Sequence, residues 1–433
     1  MSLQLLPRVR GLPSADAAQT SDDKFAVNAI AFGIALLPLL RPKGPAHTAP
    51  ADLAIAAAVL VALLWASTQQ IRVHLPYVVP VGVLIFAGLT AALLGAAPLR
   101  GVLAVTQELF LLAWCVAVAN VCRTPRALAA VLRAWAWSAT AWAALLVAAV
   151  VTGQHALAGM ENANGGRAQL TFDHPNLAAN YFIVSLFVVV LARCPRHRLG
   201  RAVACVVIGL ATVFAGSNAA LFGLPLAAFT GAVVALWRRV APAAAIATLM
   251  IGVVLAAAAV TQVDWQGIVT ELRSSENPIV RSSVARSSRS AEARQELFGS
   301  QVDLFRTGSV LGRGPASTRR VLGSEGESRV KEAHNDYLAT LVERGPLGIV
   351  GLVLLLGAIA VRVIGTDSRR LSKGFARVCP GTAPLVAVFV LLAISAVTHE
   401  VLHYRHLWAL LGILAALYLF GRRQTEPSPE GAR

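Results

Sequence analysis

The sequence predicts an all-α, polytopic membrane protein of about twelve transmembrane helices, interrupted once by a long polar segment. Three observations lead there. Of 433 residues, 56% are hydrophobic and only 14% are charged, too few charges to cover the surface of a soluble protein of this size. Apolar runs long enough to cross a hydrocarbon layer of about 30 Å recur along almost the whole chain. The arginines fall in short clusters between those runs, which is how topology is encoded in a membrane protein.

Taken in order, Met1 to Lys24 is polar and carries Pro7, Pro13 and three acidic residues, so it reads as a tail (1–24) and not as a cleaved signal peptide. Apolar segments follow at 25–40, 51–68, 75–97, 101–122, 127–152, 175–193, 201–217, 219–237 and 242–262, giving a first helical block, 25–262. A polar segment occupies 263–345, and three more spans at 346–364, 382–399 and 402–421 complete a second block, 346–421, before a short tail at 422–433. If the N-terminus is cytoplasmic, the inside loops carry Arg72, Arg123, Arg126, Arg193, Arg196, Arg198, Arg201, Arg238, Arg239, Arg369, Arg370, Lys373 and Arg377. The short outside loops carry only Arg41, Lys43, Arg100, Arg167 and Arg405. The asymmetry puts both termini inside and 263–345 outside.

Within that external segment, Ser274 to Ser290 is rich in Ser and Arg and reads as a loop. Glu292 to Arg306 places Phe298, Val302 and Phe305 on one helical face, an amphipathic helix suited to the membrane surface. Gly312-Arg313-Gly314-Pro315 is a turn. Lys331 to Arg344 repeats the helical spacing with His334, Leu338 and Leu341, and Gly345 and Pro346 suit the end of that helix and the start of the next. His334 is therefore expected on a short external helix that turns directly into a span.

Composition excludes several functions. The net charge of +16 is distributed between apolar runs, so it does not describe a nucleic-acid surface. Five cysteines form no CxxC pair and have no metal-ligand spacing. Gly-rich phosphate cradles, GxSxG and Asp-x-Asp pairs are all missing from the sequence.

Three external elements carry groups suited to chemistry on an anionic, lipid-linked substrate. The long loop is rich in arginine, Arg289 and Arg294 included. Guanidinium matches phosphate oxygens bidentately and keeps its charge, so a few of these residues can meet a diphosphate while the rest meet lipid headgroups. The loop Gly153 to Asp173 offers Arg167, followed by Asp173, His174 and Asn176, of which Asp173 or Asn176 is expected to cap the next helix. The third element, Thr398 to His406, crowds His399, His403, His406, Glu400 and Arg405 against two spans. The i, i+4 pair His399/His403 lacks a third ligand, so these residues read as a polar wall of an active site and not as a metal site. With no paired carboxylates to hold a divalent ion, arginine must stabilise a departing diphosphate, and His334 is the candidate general base for an acceptor hydroxyl.

Glu332-Ala333-His334-Asn335-Asp336-Tyr337-Leu338 followed by Glu343-Arg344-Gly345-Pro346-Leu347-Gly348 resembles the His-Asn-x-Tyr-Leu…Glu-x-Gly-x-x-Gly signature of the O-antigen ligase and polymerase superfamily of bacterial inner membranes. Arg294-Gln295-Glu296-Leu297-Phe298, Leu311-Gly312-Arg313-Gly314-Pro315 and Arg167…Phe172-Asp173-His174-Pro175-Asn176 are similar to three further elements of that family, in the same order. Many members carry Ser-Arg where this chain has Ser217-Asn218, so no role passes to Asn218.

The resemblance covers about 160–420 and implies a metal-independent, inverting glycosyltransferase without a cofactor. Such an enzyme moves a glycan from undecaprenyl diphosphate to a lipid A-core hydroxyl on the periplasmic side of the inner membrane. His334 would activate the hydroxyl. Arg167 and Arg294, with Arg289 nearby, would hold the diphosphate, and Asn335, Tyr337, His399 and Arg405 would contact substrate. O-antigen polymerases and protein O-oligosaccharyltransferases share the donor. A transporter is the reading from another class, but the chain shows no half-to-half repeat and its long loop does not divide two halves.

Overall fold

A computed structural model describes residues 21–44, 48–95, 97–160, 166–262, 264, 267, 270, 271, 274, 296–318 and 335–422. The fold is all-helical: among the described residues, β pairing is limited to one isolated bridge, Leu371 with Arg422. In chain order the helices are α1 (Ser21–Ala35), α2 (Pro50–Thr68), α3 (Val78–Leu94), α4 (Pro98–Val121), α5 (Pro125–Val151), the single turn α6 (His155–Ala158) and α7 (Pro175–Ala192). Then come α8 (Arg198–Ala215), α9 (Asn218–Arg239), α10 (Pro242–Gln262), α11 (Asp336–Gly365), α12 (Lys373–Val378), α13 (Ala383–Ser395) and α14 (Arg405–Phe420).

Proline sits in the first turn of α2, α4, α5, α7 and α13, where its missing N–H is no loss and its fixed φ suits the helix. Among the described residues, six helices, α2, α4, α5, α7, α8 and α11, are long and apolar enough to cross a membrane. The other expected spans also fall on helices. α3, α13 and α14 are apolar but shorter, at 17, 13 and 16 residues. The difference from the expected 382–399 and 402–421 has a physical cause: 396–404 is polar, and its backbone is drawn into a turn and a 3-10 helix, Val401–His403.

The helices pack pairwise, α3 on α11, α9 on α13, α4 on α14, α7 on α8, and α1 on α2 and α5. Trp114, Trp135, Tyr181, Phe172 and Phe182 are fully buried among them. Because successive long helices alternate in direction, their connections collect at two opposite ends. At one end Asn120 bonds His74 in both directions, and Arg238 ties α9 to Thr366 and Thr382. At the other, Leu40 N–H donates to Thr171 C=O (3.2 Å), joining the loops after α1 and before α7. The second end carries the candidate site.

Residues 296–306 are helical, as expected. Leu297, Gln301 and Leu304 are buried and Phe298 is 55% exposed. Leu297 and Leu304 form a small core with Leu338 and Val342, so this helix seats on the start of α11 and turns Phe298 outward.

Candidate functional site

The site is assembled around the first turns of α11. Asn335, in extended conformation (φ −154°), is the N-cap: its Oδ1 accepts from Tyr337 N–H (2.9 Å) and Leu338 N–H (3.0 Å). The helix thus begins at Asp336, one residue later than the cap and two after His334, whereas the spacing of apolar residues had extended it back to Lys331. His334, Arg289 and Arg294 themselves lie outside the described residues.

Four bonds tie this helix start to the end of α13 and the turn that follows it, 396–404. Asp336 N–H donates to Ala396 C=O (2.9 Å), and the Tyr337 hydroxyl donates to Ala393 C=O (3.0 Å). The Asp336 carboxylate accepts from both Val401 N–H (2.7 Å) and Leu402 N–H (3.2 Å) through one oxygen. His399 is buried on this turn, its Nδ1 2.9 Å from Thr398 Oγ1, and His403 Nε2 is 3.8 Å from Glu400. With no α-helix across 399–403, the i, i+4 argument for a zinc pair loses its basis. Among the described residues no three His, Cys, Asp or Glu side chains converge as metal ligands. Burial raises the Tyr404 phenol, reinforced by Asp336 and Glu400, so it stays protonated.

Two motifs separated in sequence interlock here. Arg313 N–H donates to Val342 C=O (3.0 Å) and Gly314 N–H to Glu343 C=O (2.9 Å), while the Thr318 hydroxyl donates to the Glu343 carboxylate (2.8 Å). Gly345, at φ 63° and ψ −168°, breaks the helix, as the sequence suggested, and a Cβ there would strike Val310 C=O. The preceding Arg344 is 7% exposed and grips Glu108 of α4 (also 7% exposed) bidentately, and it also donates to Leu84 C=O (3.2 Å).

A cavity of about 30 Å³ lies between these groups, lined by Glu108, Asp336, Thr340, Glu343, Arg344, Glu400 and His403 among others. It has room for about two waters. Four carboxylates against one guanidinium also make it a poor seat for a diphosphate.

Arg167 stands elsewhere on the same end. Its Nη1 donates to Asn176 Oδ1 (3.1 Å), and its stem packs on Gly216, at the junction of α8 and α9. The helix cap predicted from Asp173 or Asn176 is supplied by His174, whose Nδ1 accepts from Asn176 N–H (3.1 Å). Asp173 is drawn instead to Lys43 (2.7 Å) in the loop after α1. Arg405 is held by Asp52 of α2, with Nε 2.5 Å and Nη2 2.7 Å from its two oxygens.

The structure therefore brings Asn335, Tyr337 and His399 to one junction, places Arg405 beside it at the start of α14, and sets Arg167 at the α8–α9 turn. Sequence reasoning missed Glu108, although it is the one carboxylate in the run 98–121, a signal that an intramembrane charge has a partner or a task. The family model for O-antigen ligase matches residues 203–356. A comparison with curated proteins finds no matching relative.

Proposed function

Residues 203–356 match the O-antigen ligase family, and from that premise we propose that this chain transfers an O-antigen glycan from undecaprenyl diphosphate to a lipid A-core hydroxyl. The reaction takes place at the periplasmic face of the bacterial inner membrane, with both termini in the cytoplasm. His334 accepts the proton of the acceptor hydroxyl. The hydroxyl oxygen attacks the anomeric carbon from the face opposite the leaving group, forming the new glycosidic bond with inversion. The bond from that carbon to the diphosphate oxygen breaks, and undecaprenyl diphosphate departs with its charge met by Arg167, Arg289 and Arg294.

The observation that carries this reading is the family match, whose range contains both the arginine-rich loop and the His334-Asn335 segment. Two features of the site support it. Asn335 caps α11, which fixes the backbone immediately after the proposed base. The acidic cavity is unsuited to phosphate, which leaves the diphosphate to the arginines outside it. His399 contributes to the polar wall beside this segment, and Arg405 enters that wall already held by Asp52.

The test is purified protein given undecaprenyl-linked glycan, with lipid A-core as acceptor and chelator present. Label on lipid A-core that disappears in His334→Ala, with insertion intact, is the expected result. Chain growth on the donor without label on lipid A-core would make the protein a polymerase. Label on a polypeptide would make it a protein oligosaccharyltransferase.

A further inference from the structure

We propose that Asp336 is a positioning residue for this transfer: its carboxylate clamps the 396–404 turn onto the start of α11, so that the polar wall and the Asn335 cap hold one fixed relation. The proposal rests on the reading of His334 as the base, and adds to it the device that aligns the base with the groups opposite.

The geometry is specific. One Asp336 oxygen accepts two successive N–H groups, those of Val401 and Leu402, at 2.7 and 3.2 Å. Those are the first donors of the 3-10 helix Val401–His403, which has no side-chain cap of its own from Glu400. A carboxylate from a helix remote in sequence therefore caps the turn that carries His399, Glu400 and His403. The same residue's N–H returns to the turn at Ala396 C=O (2.9 Å), so Asp336 bonds both ends of it.

Asp336 is only 4% exposed, which leaves it little access to a substrate. It also begins a helix whose cap, Asn335, directly follows His334 in the chain. Two backbone bonds that converge on one buried oxygen leave it little freedom to shift. Loosening it would let the turn move relative to α11. A misplacement of about 1 Å at a reacting centre can cost on the order of 10²-fold in rate.

Three variants, with kcat and donor KM measured on undecaprenyl-linked glycan, test this. Asp336→Ala removes the acceptor and should lower kcat at least about tenfold, with donor KM within about twofold, because the clamp aligns and does not bind the donor. Asp336→Asn keeps an acceptor oxygen and should recover kcat to within about threefold of wild type. Val401→Pro deletes the shorter bond from the other side, leaving the carboxylate in place, and should resemble Asp336→Ala. It also serves as the test if Asp336→Ala does not fold.

Wild-type kcat in Asp336→Ala, or in Val401→Pro beside an impaired Asp336→Ala, would overturn the clamp. His334→Ala, run alongside, separates the two claims. If it keeps turnover, the base assignment falls whatever Asp336 does. If it is inactive while both clamp variants are normal, only the clamp falls.

Discussion

Arg344 of α11 and Glu108 of α4 meet as a bidentate ion pair inside the protein, each side chain almost wholly covered. The pair joins the candidate site to the helix bundle, since the same guanidinium also holds Leu84 C=O of α3. Removing one member strands the other charge in a largely buried setting. Glu108→Ala and Arg344→Ala should each destabilise by about 3–5 kcal/mol, and the double variant by clearly less than the sum. Thermal unfolding of detergent-solubilised protein, read as a double-mutant cycle, checks this. Additive losses would mean the pair is not coupled.

Gly345 is required for a conformational reason. Its φ of 63° with ψ of −168° is open in practice to glycine alone, and a Cβ would also collide with Val310 C=O. Gly345→Ala should therefore separate the Leu311–Pro315 turn from Glu343, costing at least about 1–3 kcal/mol and most of the transfer activity. Gly357, where a Cβ meets nothing within 4 Å, is the matched control in the same helix: Gly357→Ala should keep stability and activity. Equal behaviour of the two alanine variants would refute the argument.

Arg167 tests the donor side of the proposed reaction. Lysine keeps the charge but loses the planar fork that suits two phosphate oxygens. Arg167→Lys should lower kcat/KM for the lipid-linked donor by about 10- to 100-fold. Asn176→Ala, which removes the oxygen steadying Arg167, should act in the same direction and less strongly. Wild-type kcat/KM in Arg167→Lys and Arg167→Ala alike would assign the residue to the α8–α9 junction alone.

Much of this was legible in the chain, and the rest was hidden for identifiable reasons. Apolar runs located the long helices, because that signal is local. Gly345 and Pro346 marked the break in α11 for the same reason. On the 296–306 helix the sequence marked Phe298, Val302 and Phe305, whereas Leu297 and Leu304, with Phe305 beside them, are what meet Leu338 and Val342. His174 displaced Asp173 as a cap because the loop after α1 supplies Lys43. Partnerships such as Asp336 with Val401, or Arg344 with Glu108, join residues 65 and 236 positions apart, and no single-sequence pattern encodes them.

Arg405 shows how such a partnership changes an experiment. Both Asp52 oxygens engage its guanidinium, at 2.5 and 2.7 Å, and the side chains are only 19% and 16% exposed. Arg405→Ala alone would leave Asp52 without its partner at the start of α2, so lost activity in that variant would not distinguish a substrate contact from a disturbed helix pair. The charge-reversed double variant, Asp52→Arg with Arg405→Asp, does distinguish them. Each single change should lower the melting temperature, and the reversal should restore most of it, because the opposed charges still face each other. Turnover should return with stability, to within about threefold, if the ion pair is what the wall contributes. Restored melting with turnover still depressed would show instead that the glycan or its diphosphate needs a guanidinium at position 405.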